Sequence, residues 1–234
     1  MPEWAVELKD VKKTYRTGSI EVPALRGVSL RVAPGDFLAI AGSSGCGKTT
    51  LLNIIGGLDR ADTGEVLVEG KNLQLLSSGE LARMRLQRLG FVFQAYNLLP
   101  VLTALENAEF TLLLQGVPVK QRKERVQKLF AEIGLSGLEN RRPGELSGGQ
   151  QQRVAVARAM VTEPALILAD EPTANLDSVT ATALLEVMEK LNRAHGTTFV
   201  YATHDPQVMS RARRLIRLHD GQIASDVAHD GRAL

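Results

Sequence analysis

Three stretches of the chain run apolar without alternating: Phe37-Leu38-Ala39-Ile40-Ala41, Ala165-Leu166-Ile167-Leu168-Ala169, and Phe199 to Ala202 within Thr197 to Ala202. Runs this short with no polar face suit strands covered on both sides, as in a parallel sheet. Val28-Ser29-Leu30-Arg31-Val32 alternates, as a half-buried strand does. Gly64 and Gly70 bracket another strand, Glu65 to Glu69, and Trp4 to Tyr15 reads as extended. Helical spacing replaces this pattern elsewhere. Thr49 to Ile55 and Leu105 to Gln115 read as helices. Val119 to Ile133 reads as an amphipathic one, and Ser178 to His195 carries Leu184, Val187, Met188 and Leu191 on one stripe. Nothing between Thr103 and Arg141 reads as a strand. Asp220-Gly221 separates Leu215 to Leu218 from Gln222 to Ser225, a hairpin signal. The pattern predicts an α/β core, interrupted by a helical insert and closed by a short hairpin.

Composition narrows the function classes. The 234 residues are 44% hydrophobic and 23% charged, which excludes a disordered or fibrous chain. Aromatics at 4% argue against a base-stacking platform, and a net charge of +2 does not select nucleic acid as a partner. Cys46 is the single cysteine, so no internal disulfide forms, which suits a reducing compartment. Met1 to Glu7 lacks a signal-peptide pattern, and runs such as Leu112-Leu113-Leu114 fall far short of the ~20 apolar residues of a membrane span. The expectation is a cytoplasmic protein that serves any membrane process from outside the bilayer.

Chemistry enters at Gly42-Ser43-Ser44-Gly45-Cys46-Gly47-Lys48-Thr49, a G-x-x-x-x-G-K-T sequence placed between a buried strand and a helix. Glycines let successive N–H groups converge on phosphate oxygens, and the helix N-terminus adds partial positive charge. Lys48 brings a full charge to the β/γ-phosphates, and the Thr49 hydroxyl suits Mg²⁺. The strand 165–169 runs into Asp170-Glu171. There Asp170 can hold Mg²⁺ through a water, and Glu171 stands where a carboxylate can accept a proton from attacking water. Cys46, beside Lys48 at the first turn of the helix, is expected to be a reactive thiol, the alternative being a side chain packed away from the cradle and inert.

Leu146-Ser147-Gly148-Gly149-Gln150, leading into Gln151 to Ala159, resembles the signature motif of the ATP-binding-cassette (ABC) ATPases. Other family elements match in order. Tyr15 resembles the aromatic that stacks on adenine, Gln94 in Phe91-Val92-Phe93-Gln94 the Q-loop glutamine, Asp177 the D-loop aspartate, and His204 the switch histidine. Taken singly, these read as well as a core tyrosine, a capped glutamine, a helix N-cap and a buried histidine. Within the family, Leu51 to Asp59, Asn97-Leu98-Leu99-Pro100 and Leu102 to Asn107 resemble the macrolide-export, lipoprotein-release and cell-division branch (MacB, LolD, FtsE).

The resemblance implies a RecA-like P-loop NTPase core with an antiparallel β subdomain and an inserted α-helical subdomain. In this single domain, 1–234, the core covers roughly 1–95 and 162–234 and the helical part 96–161. It implies that ATP is held by Tyr15 and Gly42 through Thr50 (including Ser43, Ser44, Gly45, Cys46, Gly47, Lys48 and Thr49). Mg²⁺ would meet Thr49, Gln94 and, through water, Asp170. Glu171, His204, Gln94 and Lys48 would carry catalysis. Ser147, Gly148, Gly149, Gln150 and Asp177 would face the ATP of a second copy in a head-to-tail, ATP-dependent dimer. A permease of the FtsX-like type would dock near Gln94 to Phe110, on the inner face of the cell membrane, for export or lipoprotein release. Two rival roles stay open: ATP-driven signalling to an envelope enzyme without transport, and a non-transport ABC ATPase. The basic stretches Lys120 to Lys128 and Arg211 to Arg217 read as solvated surfaces or as lipid-facing ones.

Overall fold

The computed structural model describes residues 3–18 and 20–228, so the first two residues of the stretch read for a leader lie outside it. The chain opens with β1 (Val6–Thr17), β2 (Ile20–Val32) and β3 (Phe37–Ala41), then α1 (Lys48–Ile55), β4 (Thr63–Val68) and β5 (Lys71–Asn72). It continues through α2 (Ser78–Arg88) and β6 (Leu89–Val92) to three helices, α3 (Ala104–Leu114), α4 (Val119–Glu132) and α5 (Gly148–Met160). Next come β7 (Leu166–Asp170), α6 (Ser178–His195), β8 (Thr198–Thr203), the single turn α7 (Pro206–Met209), and the hairpin β9 (Arg214–His219) and β10 (Gln222–Ala228).

The strands form two sheets. One is antiparallel, in the order β2-β1-β4-β5; the other is six-stranded, in the order β10-β9-β3-β8-β7-β6. In the larger sheet β3 pairs parallel with β8 and β9, and β7 pairs parallel with β6 and β8. The uninterrupted apolar runs are its central strands, and all five residues of β3 are buried. Alternate residues of these strands serve different layers, as the two-residue period requires. Phe37, Ala39, Ile167, Phe199 and Tyr201 face a core shared with α3 to α6. Leu38, Ile40, Leu168, Val200 and Ala202 face α1 and the antiparallel sheet. The Phe37 ring lies 5.7 Å from Phe199 and 5.1 Å from Tyr201 in tilted arrangements, worth about 0.5–1.5 kcal/mol per pair beyond burial.

The inserted helices do not build a separate core, because Leu112, Val126, Phe130 and Val154 belong to the same cluster as Phe37 and Ile167. A buried ion pair, Arg122 Nε to Glu109 Oε2 at 3.2 Å, ties α4 to α3. Helix ends follow local chemistry. Thr103 with Glu106 and Ser147 with Gln150 form reciprocal capping boxes at α3 and α5. Asp177 caps α6, which stops at the left-handed Gly196. Four elements escape the sequence reading, β5, α2, β6 and α7, although Ser77 and Glu80 form a capping box at the start of α2. Only Leu81 and Met84 of α2 are buried, too few for a stripe, and β6 is four residues long with a glycine in it. Among the described residues no helix is long and apolar enough to cross a membrane.

Candidate functional site

The carboxyl ends of β3, β7 and β8 converge, which is where parallel α/β sheets bind ligands. β3 releases the chain into the loop 42–47, and Gly47 caps α1 with φ +107°. A Cβ on Gly47 would fall 2.5 Å from the Ala24 carbonyl, so only glycine lets the loop pass under β2 there. The cap makes no side-chain hydrogen bond and the first turn of α1 holds no acid, which leaves its N–H groups and their partial charge facing outward. Lys48 is 7% exposed and donates to the Gly42 carbonyl at 2.8 Å and the Ser43 carbonyl at 3.0 Å. Its ammonium also lies 3.8 Å from Glu171 Oε1.

Asp170 is the last residue of β7. Its carboxyl is pushed above the ordinary range, first by burial; the Thr49 hydroxyl bond and the Lys48 charge oppose this, and the Glu171 carboxylate adds to it. One oxygen, Oδ1, is buried without a hydrogen-bond partner. Glu171 follows in the left-handed region at φ +47°, uncommon for a side-chain-bearing residue, with its N–H donating to the Ala202 carbonyl at 3.1 Å. That turn aims its carboxylate at His204, whose Nδ1 stands 2.8 Å from Oε1.

These groups line one open pocket of ≈ 700 Å³, together with Ser43, Ser44, Gly45, Gly47, Thr49, Thr50, Gln94 and Tyr15. Tyr15 stands at its edge, 39% exposed, and donates its hydroxyl to Asp59 Oδ2 at 2.8 Å. Gly42 and Cys46 are not part of the lining. The reactive thiol expected at Cys46 is overturned. The side chain is 3% exposed, packed among the apolar residues beneath the antiparallel sheet, while its carbonyl accepts from Gly221 N at 3.0 Å. Cys46 lies in the loop ahead of the Gly47 cap, not in the first turn of α1, and its side chain falls on the core side.

Ser147, Gly148, Gly149, Gln150 and Asp177 also lie outside the pocket lining. Ser147 accepts from Gln150 N at 3.3 Å at the start of α5, and Asp177 accepts from Val179 N and Thr180 N at 3.1 and 3.0 Å. A Cβ on Gly148 would meet the Tyr96 hydroxyl at 2.9 Å, so the segment after Gln94 rests against the start of α5. Of the basic stretches, Lys120, Lys123, Arg125 and Lys128 are exposed, and Arg214 is engaged with Asp226 and Asp36.

Some residues around the site had no sequence signal. Asn175 Nδ2 donates to the Gln94 carbonyl at 2.9 Å, Arg158 holds the Tyr96 and Asn97 carbonyls, and Gln152 reaches the Phe93 and Pro172 carbonyls. Each bonds to main chain far away in sequence, where the partner's identity leaves no pattern to read.

A family described as ABC transporter matches residues 25–174. The macrolide export ATP-binding/permease protein MacB of Syntrophobacter fumaroxidans is 48% identical over 220 residues, 93% of this chain and 31% of that protein. The chain thus spans about a third of the length of such relatives. An uncharacterized ABC transporter ATP-binding protein of Thermotoga maritima is also 48% identical, covering 93% of both chains. Among solved structures, a dimeric post-hydrolysis state of the ATP-binding cassette MJ0796 with ADP and Pi superposes with a TM-score of 0.89 at 42% identity, over 97% of this chain and all of the other.

Proposed function

The chain belongs to the ABC transporter family, and from that premise we propose that it is the ATP-hydrolysing subunit of a membrane transporter, working as a head-to-tail homodimer with ATP at the seam. Its activity is that of an ATPase, ATP + H₂O giving ADP and phosphate. The observation that carries the reading is the convergence of Lys48, Asp170, Glu171, His204 and Gln94 on one pocket, while Ser147 stands at a different helix start. A site divided in this way is completed by a second copy.

Phosphoryl transfer needs positioning and charge neutralisation more than covalent chemistry from the protein. Lys48 and the N–H groups of residues 43–50 hold the phosphates, and Tyr15 offers a ring to the adenine. Glu171 accepts the proton of the attacking water at a carboxylate oriented by His204 and Lys48. His204 and Gln94 orient the water and the γ-phosphate. The buried Asp170 Oδ1, which has no hydrogen-bond partner, and the Thr49 hydroxyl near the same carboxyl make a hard-oxygen set that fits Mg²⁺. Bound there with Gln94, the ion would neutralise charge on the phosphate oxygens. Ser147, Gly148, Gly149, Gln150 and Asp177 face the partner copy's ATP.

The coupling partner is a permease of the FtsX-like type, for export or lipoprotein release, at the inner face of the cell membrane. The MacB relatives support this, since their names join an ATP-binding part to a permease. Further support comes from a groove of ≈ 410 Å³ between Leu58, Phe91, Asn97 and Thr111, and from the exposed Leu99 and Val101 that follow Asn97 in the chain. The test is Glu171→Gln. The amide keeps shape without accepting a proton, so the variant binds ATP, hydrolyses none, and elutes as a stable dimer on size exclusion. Wild-type hydrolysis by Glu171→Gln sinks the reading.

A further inference from the structure

Gln152 lies on α5, one and a half turns past the Ser147 cap, and is wholly buried. Its Nε2 donates to the Pro172 carbonyl at 2.6 Å and the Phe93 carbonyl at 3.3 Å. Phe93 immediately precedes Gln94, and Pro172 immediately follows Glu171. One side-chain amide therefore spans the two segments that carry the water-orienting glutamine and the base. Its orientation is fixed chemically, because turning the amide over would set an oxygen against both carbonyls. The other end, Oε1, is buried with no hydrogen-bond partner. A methionine of similar length would remove that orphan but leave two main-chain carbonyls without a donor.

The segment that Gln152 holds is strained and held elsewhere too. Tyr96 and Asn97 have φ of +21° and +51°. Arg158, also on α5, donates to the Tyr96 carbonyl at 2.9 Å and the Asn97 carbonyl at 2.5 Å, and Asn175 takes the Gln94 carbonyl. From Phe93 to Asn97, only the Ala95 carbonyl lacks a side-chain donor among these bonds. It accepts from Asn97 N within the same turn.

We propose that Gln152 is a positioning residue for hydrolysis. It sets Gln94 and Glu171 relative to one another through their backbones, and ties both to the helix that presents Ser147 to the other copy. A shift of α5 on dimer closure is then felt in the pocket of the same chain. The inference deepens the proposed ATPase reading and rests on it.

Steady-state hydrolysis by the full chain tests it, with rates expressed per nucleotide-binding site so that misfolded protein is not counted. Gln152→Met is expected to lower kcat on the order of 10²-fold, the scale of an ångström-sized misplacement. KM for ATP should stay within about twofold, since Tyr15 and residues 42–50 are untouched. Gln152→Met placed on Gln94→Ala should cost little beyond the larger single loss, because both remove one arrangement. A purely structural role would not produce that coupling. The proposal is overturned by a Gln152→Met kcat within about threefold of wild type, by ATP binding lost in step with turnover, or by single losses that multiply. Glu171→Gln measured alongside separates the two ideas. A dead Glu171→Gln beside an active Gln152→Met removes the Gln152 role alone, and an active Glu171→Gln removes both.

Discussion

His204 Nδ1 and Glu171 Oε1 stand 2.8 Å apart, a contact that joins the ends of the adjacent strands β7 and β8 at the mouth of the pocket. The same Oε1 lies 3.8 Å from Lys48 Nζ. One carboxylate oxygen is thus shared between an imidazole and an ammonium, which leaves Oε2 as the basic atom free to meet water.

Removing that imidazole should leave binding and damage turnover. His204→Ala is expected to lower kcat by about 10²-fold, the scale of a lost acid–base or orienting group, with KM for ATP changed far less. Steady-state hydrolysis checks this. Unchanged kcat would mean that the imidazole, 65% exposed, is a bystander.

Asp170 carries a stability cost with a defined pH window. Burial makes its carboxyl harder to ionise in the folded chain than in the unfolded one. Such a group costs stability in full above its folded pKa, and the cost fades as pH falls toward the unfolded value of about 3.9. Asp170→Asn should therefore melt higher than wild type at about pH 7.5 without nucleotide, lose the advantage near pH 4, and be inactive. Thermal unfolding at both pH values decides it, and a lower melting point for the variant at neutral pH contradicts the argument.

The divided site predicts complementation. Ser147→Arg and Lys48→Ala should each be inactive alone, for different reasons: the first blocks closure, the second loses a phosphate charge. Mixed in equal amounts they should recover at most about a quarter of the wild-type rate, since half of random dimers are mixed and each of those has one sound site. An absence of recovery, together with efficient crosslinking of mixed dimers, would show that both sites must be intact together.

Cys46 should resist modification. With its thiol 3% exposed, maleimide labels it only through opening of the fold, far more slowly than a free peptide thiol. Full labelling within minutes by mass spectrometry would place the side chain in the cradle instead. Cys46→Ser exchanges a packed sulfur for a buried hydroxyl, at about 1–3 kcal/mol if that hydroxyl finds no partner, measurable in urea.

Legibility followed the kind of interaction involved. β3, β7 and β8 were readable because strands covered on both faces carry uninterrupted apolar runs, Phe37 to Ala41, Leu166 to Ala169 and Phe199 to Ala202. α6 was readable to its ends because Asp177 and Gly196 are chemically suited to start and stop a helix. The loop between β3 and α1 was readable because its requirements are local: glycine conformation and a helix start. The thiol of Cys46 misled because the residue sits in the loop before the Gly47 cap, where motif spacing does not say which side chains face the cavity. Gln152, Arg158 and Asn175 were silent because a bond to a carbonyl is open to any residue type at the other end. α2, mostly solvated, had no stripe to display.

The central strand β3 draws both of its lateral partners from late in the chain, Phe37 opposite Phe199 and Leu38 opposite Arg214. During synthesis the segment leading into the phosphate loop is therefore made early and stays unpaired until β8 and β9 exist. Contacts of such long sequence separation form slowly. Nucleotide cannot assist the early stages, because the cradle that would hold it has no floor until the hydrogen bonds of β3 are made. ATP binding becomes a marker of completed biosynthesis, and a chain that ends before Thr198 loses the site whole, although every residue from Gly42 to Thr50 is present.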